Sequence, residues 1–312
     1  MAIHAYDIEM LQRPVDRGAP DNQGWCFGLP PGIRQEQWPL DPNTGYPLMH
    51  GFTLLLPDDY RVHGPDRVAL SFFALATDHF EESNKTLRAF FELPGEQAPS
   101  DPDLLPFWQA MQAEHAHLHR MEDILGGAYA VILLTQQEFD GPLCEPPRFA
   151  GNRHLSALPA PRWLEIGAAG AFCGNDDEPD FSAPIEKDYV LKQLGEVPAN
   201  DLTFNRALHW TARSSDPNAG KPPREGRAAK ESGYQSFYYW HDGEIKTENY
   251  RIHDWAQGHQ RNHIGGTMRP IQAVPEFSPY YIGFEEYLGG YNFGSGNAQL
   301  DILEMKFDWA CD

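Results

Sequence analysis

The chain has 312 residues, with 45 acidic against 24 basic side chains, a formal charge of −21, and 41% hydrophobic and 12% aromatic residues. That length buries a core without staples, and that composition excludes wholesale disorder. The charge argues against nucleic acid or an anionic membrane as partner, since both are repelled at long range; it would attract a basic protein, and solubility alone is its plainer reading.

The amino terminus, Met-Ala-Ile-His-Ala-Tyr-Asp, has no basic region followed by an apolar core, and no run approaches the ~18 apolar residues that span a bilayer, so a cytoplasmic location is expected. From Gly28 to Pro57 the punctuation is dense: Pro30-Pro31-Gly32 and Thr44-Gly45-Tyr46-Pro47 turn, Trp38-Pro39 is extended, and Phe52 to Leu56 predicts a strand. Arg67–Thr77 predicts a central strand. Ser83 caps a short helix through Leu87, Phe90 and Phe91. A second helix begins at Ser100-Asp101-Pro102-Asp103, runs on Phe107, Met111, Leu118, Met121 and Leu125, and stops at Gly126-Gly127.

Ala128–Leu134 reads as another buried strand, and Cys144–Pro161 as a Pro-rich connection. Arg162–Ile166 predicts a strand, Asn175–Asp180 an acidic loop, and 213–232 a mobile basic segment without large apolar residues. Gln235–Trp240 is strongly β-prone and turns at His241-Asp242-Gly243-Glu244 into a hairpin. Gln299–Trp309 predicts one amphipathic strand with Leu303, Met305, Phe307 and Trp309 inward. The four cysteines, far apart and without a C-x-x-C pair, read as buried free thiols.

Two windows carry a resemblance. The front one is Phe27-Gly28-Leu29-Pro30-Pro31-Gly32, Trp38-Pro39, Asp41, Gly45-Tyr46-Pro47-Leu48 and Phe52. The rear one is His263-Ile264-Gly265-Gly266, Pro270, Gln272, Asn292-Phe293-Gly294-Ser295-Gly296 and Phe307-Asp308-Trp309-Ala310-Cys311-Asp312. In order and separation they resemble the YwqG-like family of bacterial proteins, over about a third of the chain; Thr267-Met268-Arg269 departs from its pattern. The resemblance implies an α+β fold with a substantial antiparallel β-sheet and a few helices. It carries over no catalytic residue, and family members that neighbour toxin systems suggest immunity roles. One unit over 1–312 is expected, and two related halves, 1–145 and 160–312, stay open as its internal plan.

Chemistry is sparse. His115 and His119 on one helical face, with Glu122 a turn on, lack the order of a zinc hydrolase and read as a groove-lining helix, so neither metal nor cofactor is expected. Gly289-Gly290 with Gly294 and Gly296 has no following helix and reads as a hairpin turn. His263 beside its glycines reads as a turn-holding residue, with Tyr239 and Trp240 the aromatic neighbours of a ligand pocket in the alternative reading as an enzyme or small-ligand protein. Glu276, Tyr280, Tyr281, Glu285 and Glu286 form an expected acidic, aromatic docking face. The leading expectation is an immunity-type protein that covers a basic toxin, such as a nuclease.

Overall fold

A computed structural model of the protein describes residues 2–79, 82–173, 192, 194–241 and 250–311. The chain forms strands β1 (Tyr6–Met10), β2 (Gly24–Phe27), β3 (Met49–Leu55) and β4 (Ala69–Ala74), then helices α1 (Lys85–Glu92) and α2 (Leu105–Gln112). Strands β5 (Leu118–Glu122) and β6 (Ala128–Leu134) follow, with the short helices α3 (Gln136–Phe139), α4 (Trp163–Ile166) and α5 (Ala168–Cys173). The second part holds β7 (Asn205–Ala212), α6 (Gly226–Ser232), β8 (Tyr238–Trp240), β9 (Tyr250–Ile252), β10 (His263–Ile264), β11 (Tyr281–Glu285), β12 (Asn297–Asp301) and β13 (Lys306–Ala310). This is the expected α+β class. Among the described residues no helix is long and apolar enough to cross a membrane.

Eleven strands make one antiparallel sheet in the order β13-β12-β11-β10-β1-β7-β2-β3-β4-β6-β5, and β8 pairs with β9 in a separate ribbon. The sheet curls until its two edges nearly meet. Trp309 Nε1 of β13 donates to Asp123 Oδ2 at the end of β5, at 2.7 Å, and the Phe307 and Tyr129 rings lie 4.0 Å apart. Such curling shields edge strands that would otherwise pair with another chain. Inside, Phe72 of β4 reaches Phe52 of β3 at 5.4 Å, Phe284 of β11 at 5.3 Å and Phe307 of β13 at 5.4 Å. Aromatic rings thus fill the interior from opposite walls, with offset and edge-on contacts that add to area burial. β1, from the first part of the chain, lies between β10 and β7 of the second, so the two parts interlock through shared pairing.

Several local expectations change. α1 is capped by Asn84, not Ser83: its Oδ1 accepts from Thr86 N and Leu87 N. The long second helix ends at Gln112, and Leu118–Glu122 is edge strand β5, hydrogen-bonded along β6. Gly126-Gly127 therefore closes a hairpin. Asp123 Oδ1 accepts from Leu125 N and Gly127 N and builds that turn, the local bonding by which Asp favours turns over helix. His115 and His119 accordingly share no helical face; His115 Nε2 bonds Glu138 at 3.0 Å, while the His119 ring lies 5.6 Å from His63.

Arg162–Ile166 contains helix α4 rather than a strand, and the carboxy-terminal segment is two strands, β12 and β13, joined by a turn at 302–305. Met305 takes φ +52° there. The Asn175–Asp180 loop and the turn after His241 lie outside the described residues. All four cysteines are free, but only Cys26 and Cys144 are buried as expected; Cys173 is half-buried and Cys311, beyond the last strand, is exposed.

The segment expected to be mobile at 213–232 is anchored instead. Arg213, with a side chain only 1% exposed, pairs with Asp7 at 2.7 Å and Asp216 at 2.8 Å, and the fully buried Asn218 bonds Gln235 O and Thr267 Oγ1. Burial of polar groups, not of apolar ones, holds this loop, which is why its composition concealed it.

Candidate functional site

His263 is 2% exposed. Its Nδ1 donates to Arg261 O at 2.8 Å, and burial, helped by the nearby Arg213 guanidinium, pushes its pKa down to about 3, so the ring is neutral. A Cβ on Gly283 would come within 2.6 Å of the ring, so the imidazole is sandwiched against the neighbouring strand. The adjoining glycines admit close neighbours at positive φ: a Cβ on Gly265 would fall 1.7 Å from Tyr60 Oη, and one on Gly266 would fall 2.4 Å from Asp216 Oδ2. His263 itself lies in strand β10, bonded to a carbonyl as expected, and the tight turn begins after it at Gly265-Gly266. Tyr239 lies in the separate β8–β9 ribbon, its ring 4.6 Å from His253, and the side chain of Trp240 is outside the described residues.

The expected acidic docking face is mostly interior. Glu276 is exposed and Tyr280 half-buried, but Tyr281 has no exposed surface and donates its hydroxyl to Gly266 O at 3.1 Å. Glu285 is 9% exposed and pairs with Arg261 at 3.3 Å. All five residues of β11 are buried, because one side faces the aromatic interior and loops cover the other. Alternation cannot reveal a strand covered on both faces.

Glu286 accepts from the backbone N–H of Phe293, yet burial pushes its carboxyl up to about 7. A carboxyl whose folded pKa lies above the ordinary 4.5 binds more protons folded than unfolded, so its contribution to stability is present below pH 4.5 and is lost as pH rises to 7, by about 3 kcal/mol. His50 and His263, both buried with lowered pKa, act oppositely below pH 6.5. The clean reading is a difference. The stability of Glu286→Gln relative to wild type should increase steadily between pH 4.5 and 7.5 in urea unfolding, whereas a pH-independent difference would remove the assignment.

A cleft of about 450 Å³ opens where β1, the end of β3 and β7 meet. Trp210 and Tyr6 wall it, with rings 5.1 Å apart at 78°. Both are fixed: Trp210 Nε1 donates to Leu55 O at 2.9 Å, and the Tyr6 hydroxyl donates to Asp59 Oδ1 at 2.7 Å. Burial and that bond together raise the Tyr6 phenol well above its usual range, keeping it a neutral donor. Asp59 also accepts from His4 N at 2.8 Å and is 5% exposed. Asp58 pairs with Arg61 at 2.9 Å, and Asp21, exposed on the rim, has no partner among the described residues.

An indole face held rigidly beside free and partly shared carboxylates attracts a desolvating cation. No group of side chains suited to hold a metal ion occurs among the described residues. The cleft draws on residues 4, 6, 21, 58, 59 and 210, which no spacing connects. Only the alternation of His4 and Tyr6 and the Asp58-Asp59 pair after Pro57 hinted at any of them.

The chain matches no family model, no curated protein and no solved structure.

Proposed function

We propose that this is a binding protein of the immunity type, which neutralises a basic bacterial toxin by gripping its lysine and arginine side chains at the acidic, aromatic cleft. The reading rests on the cleft: carboxylates of Asp21, Asp58 and Asp59 around the fixed Trp210 and Tyr6 rings, in a chain of charge −21. Long-range attraction speeds encounter, and a side chain seated against the indole slows release. His263, buried and neutral, has the surroundings of a structural residue rather than of a catalytic base.

Titration with a hexa-arginine peptide at ~50 and ~300 mM salt tests it, spanning the range in which exposed charges become screened. Trp210→Ala should weaken binding ~10-fold, and Asp21→Lys should weaken it and flatten its salt dependence. Affinity unchanged in both variants would sink the cleft as the site. Retention of a basic toxin by wild type but not by Asp21→Lys would extend the result to the natural partner.

A further inference from the structure

The Pro-rich connection between Cys144 and Pro161 does more than join two parts of the chain. Together with α4 it encloses a second, largely apolar cavity of about 340 Å³, walled by Tyr46, Phe149, Leu155, Leu158 and Leu164. The Tyr46 hydroxyl lies 3.2 Å from Leu155 O and 3.1 Å from Leu158 O, which ties the connection to the 44–47 turn.

Two charged side chains line the same cavity, Arg148 and Glu165. Arg148 donates one bond, from Nη2 to Leu164 O at 2.9 Å, and its remaining donors have no partner among the described residues. The Glu165 carboxylate has none either, and the two form no ion pair with one another. An exposed cation and an exposed anion that do not pair with one another, both lining a largely apolar cavity, complement a molecule carrying both charges and an apolar body.

We propose that this cavity binds a free apolar α-amino acid, with its carboxylate on the Arg148 guanidinium, its ammonium on the Glu165 carboxylate and its side chain among Tyr46, Phe149 and Leu158. The guanidinium fork suits a carboxylate, and the volume falls at the small end of ligand cavities, which run from ~300 to ~1,000 Å³. The site is separate from the acidic cleft and does not depend on the reading of that cleft.

Calorimetric titration of the full chain with L-phenylalanine, 3-phenylpropionate and phenethylamine separates the two charges. L-phenylalanine should bind at least ~10-fold more tightly than either analogue, equivalent to about 1.4 kcal/mol for the second charge. Arg148→Gln should reduce L-phenylalanine and phenylpropionate binding while leaving phenethylamine unchanged, and Glu165→Gln should do the reverse. Both side chains are exposed, and a thermal melt matching wild type verifies each variant. Equal affinity for the three compounds, absence of L-phenylalanine binding at ~10 mM, or binding indifferent to both substitutions overturns the proposal.

Discussion

Gly51→Ala is expected to unfold the protein or to cost more than about 3 kcal/mol in urea denaturation, at the severe end of overpacking. Gly51 sits in β3 at a register shift between His50 and Phe52, with a Cβ position 1.7 Å from Tyr291 Oη and 2.5 Å from its Cζ. The tyrosine ring cannot retreat: it packs against Phe293 at 5.3 Å, Phe284 at 5.5 Å and Phe72 at 5.6 Å. Its buried hydroxyl has no hydrogen-bond partner among the described residues. Tyr291→Phe alone should therefore be neutral or stabilising by about 1 kcal/mol, because an unsatisfied buried group is removed. In the double variant the nearest clashing atom is gone, so the loss should be smaller than the sum of the single effects. Strict additivity would show that the close approach to Tyr291 is not what requires glycine.

The second large effect is expected at Asp216. Its side chain is 1% exposed and accepts from Arg213 Nη1 at 2.8 Å, Asn218 N at 2.9 Å, Thr267 N at 3.0 Å and Thr267 Oγ1 at 2.8 Å. Burial alone would raise its pKa, but these donors and the guanidinium hold it below the ordinary value of 3.8. Its contribution is thus present above pH 3.8 and is lost as pH falls through the lowered folded value.

Asp216→Ala leaves the Arg213 guanidinium with Asp7 and the Gln260 carbonyl and strands several buried donors, for an expected loss of about 3–5 kcal/mol. The 213–232 segment should then be the first site cut in limited proteolysis, since the same carboxylate anchors it to the Gly265-Gly266-Thr267 turn. A loss below ~1 kcal/mol with unchanged proteolysis would mean that the network contributes little net stability.

These two sites lie on opposite sides of what was legible in the chain. Glycines and prolines located the turns at 30–32, 44–47 and 265–266, and apolar runs located β3, β4 and β6, because backbone restriction and central-strand burial are written in a few adjacent residues. What Gly51 has to accommodate could not be read, since Tyr291 is 240 positions away. Leu118–Glu122 likewise matched a helical period locally and became a strand because β6 offers it a hydrogen-bonded neighbour. The docking face built on Tyr281, Glu285 and Glu286 failed for the same cause: exposure is a property of the surroundings, β11 is covered on both sides, and Glu286 just beyond it is half-buried.

By itself, then, the sequence determined the main turns, the buried central strands and the acidic character, and its resemblance implied the α+β class. Tertiary structure alone decided the interlocked strand order, the anchoring of 213–232, and the two cavities with the charges on their walls. Turn and strand preferences act over a few residues, whereas a cavity and its electrostatics exist only once segments far apart in sequence have packed together.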